Sequence, residues 1–159
     1  MQVSFKKIIW VVVKNLFKFI GVGILLLVVI IAIFLYVQIK KPYTEIIDRN
    51  WSIKLPNSNK EIYSIDSGAS FLGDGERYHI FEYTKENEIN QSVNWENNKN
   101  KSIETEIGKV LFQLNVPKEN MPNFQSNYKY FTTVKHDYSK IYLIFITDTK
   151  KLYVIEDMY

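Results

Sequence analysis

FIGVGILLLVVIIAIFLYVQI, residues 19–39, contains no charged residue, no proline and one strongly polar side chain, Gln38. Roughly 20 apolar residues in a helix are enough to cross the ~30 Å hydrocarbon core of a bilayer. This run of 21 residues therefore reads as a transmembrane helix, with the lipid bilayer as its partner. Lys14 and Lys18 precede it, and Lys40 and Lys41 follow it. A secretory signal has a shorter apolar stretch, ~7–15 residues, and ends at a small-residue cleavage site. Gln38-Ile39-Lys40-Lys41-Pro42 offers no such site, so the run is expected to stay as an uncleaved anchor.

Working outward, residues 1–18 form a basic amphipathic segment. On a helix Lys7, Lys14 and Lys18 share one stripe, and Ile8, Ile9, Val12, Val13 and Leu16 fill much of the rest. The pattern suits a helix lying on the membrane surface, with Trp10 at the headgroup level, and equally a helix continuing into the span. Orientation follows lysine and arginine placement. Lys6, Lys7, Lys14 and Lys18 precede the span and no acid appears before Glu45. A short, purely basic segment resists translocation, so the N-terminus is expected in the cytoplasm and the remainder of the chain outside it. The anticipated localisation is the cell membrane, single-pass.

Charge beyond the anchor has the opposite sign. Residues 42–159 carry 14 basic and 17 acidic side chains, so the overall surplus of +3 belongs to the anchor. A nucleic-acid partner is not expected from a net acidic domain. The chain has no cysteine, which excludes disulfides, thiolate catalysis and thiolate metal sites. Its wealth of Lys, Asn, Ile, Tyr and Phe fits AT-rich coding and a bacterial source.

Residues 40–59 read as a juxtamembrane connector, with a short helical turn over 44–48. Residues 60–159 read as an α+β domain with an antiparallel sheet, in the order β-β-α-β-β-β. Strands are expected over 61–66, where apolar and polar residues alternate, and over 78–84, where Ile80, Phe81 and Tyr83 suit a sheet. Between them, residues 67–77 form a glycine-punctuated loop ending in Gly73-Asp74-Gly75-Glu76-Arg77. The polar stretch 86–101, with Trp95 isolated among asparagines, reads as a loop or a poorly formed helix start. Ser102 stands at a helix N-cap position. Ile103, Ile107, Val110, Leu111 and Leu114 then recur at the spacing of one helical face. A meander follows, with strands over 129–134, 141–146 and 152–155. The continuously apolar run 141–146 implies a central strand covered on both faces.

Chemistry is sparse in this sequence. There is no P-loop, no G-x-G-x-x-G and no G-x-S-x-G elbow, so no cofactor is expected. His79 and His136 are the only histidines, too few for a zinc centre without a cluster of acids. The candidate binding residues are Asp74, Glu76 and Arg77, accessible charges on a backbone that two glycines bend tightly. That arrangement suits contact with a partner better than catalysis. The function expected is a bitopic, membrane-anchored binding module of the bacterial envelope. It would recognise a protein or envelope component, as an immunity or protection factor or as an accessory subunit of a membrane complex. The alternative is a small envelope hydrolase using the neighbourhood of Asp74 and His79.

Overall fold

The computed structural model describes residues 5–39, 42–57, 60–68 and 74–159. The chain divides into two compact units, Met1–Pro42 and Tyr43–Tyr159. The first unit holds one uninterrupted helix, α1, Phe5–Ile39. Its 35 residues give a length of about 52 Å at ~1.5 Å per residue. Within it, the 24 residues Val13–Tyr36 are long and apolar enough to cross a membrane. Their side chains are exposed, as a lipid-facing surface requires. Of the two sequence readings of residues 5–18, the helix continues without a break into the apolar run.

The second unit is α+β. Its elements are α2 (Tyr43–Trp51), β1 (Lys60–Asp66), β2 (Gly75–Glu82), α3 (Glu86–Asn90), α4 (Lys101–Gln113), β3 (Tyr128–Val134), β4 (Lys140–Ile146) and β5 (Lys151–Met158). A single 3-10 turn, Lys118–Asn120, follows α4. The strands form one antiparallel sheet in the order β1-β2-β5-β4-β3. The expected central strand, 141–146, is interior and fully buried, but β5 holds the middle position. The reason is pairing: β5 bonds β4 along one edge and β2 along the other, joining the two halves of the sheet.

Because side chains alternate across a strand, each strand feeds two cores. On one face Tyr78, Ile80, Tyr142, Ile144, Tyr153 and Ile155 meet Ile107, Val110, Leu111 and Leu114 of α4. Ile103 completes that stripe from a half-buried position. Asn100, rather than Ser102, caps α4: its Oδ1 accepts from the backbone N–H of Ser102 at 3.1 Å and of Ile103 at 3.3 Å. At the other end Asn115 takes a left-handed conformation, φ 54°. Val116 N–H donates to Leu111 O and Asn115 N–H to Phe112 O, a Schellman closure that satisfies the last carbonyls.

On the other face Phe81, Ile141, Leu143, Phe145, Leu152 and Val154 pack against Ile47 and Trp51 of α2, Ile53, Leu55 and Ile89 of α3. Residues 43–57 are thus part of the second unit's core rather than a connector outside it. Thr44, Ile47 and Trp51 fall at helical spacing and all three are buried. In the polar stretch after β2, the helix-start reading is the one that the structure shows, and an added bridge orders the rest. The stretch contains α3, and Glu96 forms an antiparallel bridge to Tyr130 that pairs the outer edge of β3.

Candidate functional site

The structure distributes the three expected binding residues among different surroundings. β2 begins at Gly75, so Glu76 and Arg77 lie in a strand rather than in the loop. Gly75 supplies the turn, at φ +114°. Ser67 and Glu76 then close it, with Ser67 N–H donating to Glu76 O at 2.9 Å and Glu76 N–H to Ser67 Oγ at 3.0 Å. Asp74 lies just before the strand, and residues 69–73 are outside the described residues. Strand alternation sends Glu76 and Arg77 to opposite faces. The three residues therefore do not form one surface.

Arg77 joins a buried polar cluster under α2. It sits opposite Glu156 of β5 in the ladder. Glu156 is fully buried, and its carboxylate accepts from the Tyr43 hydroxyl and from Trp51 Nε1, the latter at 2.5 Å. The Tyr43 ring stacks on His79, with centroids 3.4 Å apart and planes at 21°. His79 Nδ1 donates to Glu61 Oε1 at 2.6 Å. Burial pushes the Tyr43 phenol up, and the Glu156 charge adds to it. Burial holds the His79 imidazole below its ordinary value, against an opposing pull from Glu61. These groups occupy one another, and their work is to clamp α2 to the sheet. His79 and Asp74 are five residues apart, which along an extended strand is roughly 16 Å. That separation gives no support to a shared catalytic centre.

Glu76 points to the α4 face. There it neighbours Asp157, its partner in the ladder. Burial, and secondarily the Glu76 charge, push the Asp157 carboxyl up. Asp157 lines a cleft of about 620 Å³ between α4 and the ends of β4 and β5. In it Glu106 Oε2 accepts from Tyr142 at 2.6 Å and from Lys140 at 3.1 Å, which holds the Glu106 carboxyl below its ordinary value. Phe112 and Tyr159 rim this cleft and are strongly exposed.

The larger cleft, about 890 Å³, lies where α3 and the segment after it meet β3. Lys129, a buried lysine, contributes to its lining. Its ammonium donates to Asn90 Oδ1 and stands 3.6 Å from Glu86 Oε1. The Phe145 and Trp95 rings lie 4.8 and 5.4 Å from the same nitrogen. Burial depresses the Lys129 amine, and Glu86 counteracts it. Asn90, Asn94, Asn97 and Asn127 are among the lining residues, and the Asn90 amide oxygen is the one that Lys129 holds. The surrounding segment is pinned: Trp95 Nε1 donates to Ile89 O at 2.8 Å and Lys99 Nζ to Phe124 O at 2.9 Å.

Sequence reasoning did not find this cleft. Its signal was Trp95 among asparagines, visible in the chain but without a partner until β3 brought Lys129 beside it. Among the described residues, no three His, Asp or Glu side chains converge as metal ligands. Comparison with protein-family models, with curated proteins and with solved structures finds no match to this chain.

Proposed function

We propose that this protein is a membrane-tethered binding module. In this reading α1 stays as an uncleaved single-pass anchor, its N-terminus is cytoplasmic, and the α+β domain works on the outer side of a bacterial membrane. The lysines at positions 6, 7, 14 and 18, ahead of any acid, support that orientation. The domain recognises a protein or another envelope component, in protection against a toxin or as an accessory part of a membrane complex.

The cleft beside Lys129 carries the reading. It is open, polar and rich in carboxamides, and its one buried cation is already held by Glu86 and Asn90. Its volume of about 890 Å³ falls within the ~300–1,000 Å³ usual for ligand sites. Nothing in the lining is a nucleophile paired with a base, so binding is favoured over the hydrolase alternative. A photo-crosslinking residue placed at Asn97 of the full chain, in its native membrane, is the test. The expected result is a discrete adduct that is lost when Asn94 and Asn127 are both replaced by Ala. The same scatter of adducts from Asn97 as from a control position on the far face, such as Lys118, would sink the reading.

A further inference from the structure

We infer that the cleft beside Lys129 is a saccharide-binding site. This rests on reading the domain as a binding module, and it names the ligand class. Among the described residues, none hydrogen-bonds the side-chain amides of Asn94, Asn97 or Asn127, and all three line the cleft. Each amide offers two N–H donors and an accepting oxygen. A sugar hydroxyl likewise donates and accepts, so several carboxamides and a run of hydroxyls can satisfy each other. Phosphate at neutral pH is chiefly an acceptor and would leave the amide oxygens facing negative charge. A divalent cation would leave the N–H groups unused, and an apolar ligand would strand both.

A peptide strand is the nearest competitor, since it too donates and accepts. It would need an open strand edge. The outer edge of β3 at this point is taken: Glu96 N–H donates to Tyr130 O at 2.8 Å and Tyr130 N–H to Glu96 O at 2.9 Å. Val93 and the half-buried Trp95 add a modest apolar flank, which suits the C–H face of a pyranose ring. The charges nearly balance, with Lys99 and Lys129 against Glu86. The bond to Asn90 and the pairing with Glu86 fix Lys129 and α3 before any ligand arrives, which lowers the cost of ordering the site.

The test uses the full chain, isotopically labelled, in lipid nanodiscs, titrated with chitotetraose, with cellotetraose and with inorganic phosphate. Saturable shifts are expected from at least one sugar at the amides of residues 90–97 and 127–129. Combining Asn94→Ala, Asn97→Ala and Asn127→Ala should weaken binding at least about tenfold, the loss of one or two net hydrogen bonds. No saturable shift with either sugar overturns the proposal, as does undiminished binding in the triple variant. Phosphate saturating the same amides in place of the sugars overturns it too. A protein adduct from Asn97 together with sugar-blind spectra overturns the saccharide assignment and leaves the binding module standing.

Discussion

His79 shows how a residue that invites a catalytic reading can be spent on architecture. Its ring is buried, stacked on Tyr43 and bonded to Glu61, all on the side of the sheet that α2 covers. Neighbouring Glu156 and Arg77 add opposing charge effects, and the net result is an imidazole held below its ordinary 6.5. In the interval between its folded value and 6.5, the unfolded chain binds a proton that the folded chain does not. Stability is therefore complete above that interval and falls as pH drops through it, by at most about 1.4 kcal/mol per pH unit for one proton. Urea denaturation between about pH 7.5 and 5.5 should show this decline, and His79→Gln should flatten it. An unchanged slope in His79→Gln would mean another group is responsible. The sequence could name His79 as unusual but could not tell burial from exposure, because its neighbours in space come from β1 and α2.

Elements were legible in proportion to their periodicity. The α4 stripe was read in full because five apolar residues at helical spacing leave no other consistent face. β4 was equally plain as a buried run. The start of β2 was missed because glycine and charge are turn signals, and only pairing with β5 shows that Glu76 and Arg77 are in a ladder. α2 was underrated for a related reason. It is nine residues long, too short for its own pattern to reveal that Ile47 is fully buried. Two substitutions compare the read and the unread helix. Leu111→Ala and Ile47→Ala each remove a side chain with almost no exposure, and each should cost about 2–5 kcal/mol in chemical denaturation. A cost under about 0.5 kcal/mol for Ile47→Ala would return α2 to the status of a tether.

For the whole molecule, the apolar helix was the clearest statement in the sequence, and its sidedness is the question with most weight for function. The chain's lack of cysteine makes any introduced thiol unique. Ser4→Cys and Asn97→Cys lie on opposite sides of the apolar run in sequence. In intact cells a membrane-impermeant maleimide should label Cys at position 97 and spare Cys at position 4 until the cells are opened. The reverse pattern would invert the topology, and labelling at both positions would exclude a span between them. The candidate site was less legible than the anchor, because its walls come from residues 86–99 and its buried lysine from β3, and only the folded sheet joins them.

The strand order also has a consequence for biosynthesis. Among the described strands β5 leaves the ribosome last, yet it lies in the middle of the sheet. Until residues 151–158 emerge, β1–β2 and β3–β4 are two hairpins with no ladder between them. Isolated hairpins are marginal in water and present unpaired edges. A translation product stopped before Lys151 would thus be left for proteases as an unassembled chain rather than persist as a slightly shortened domain. The position of β5 makes assembly of the whole sheet wait for residues 151–158.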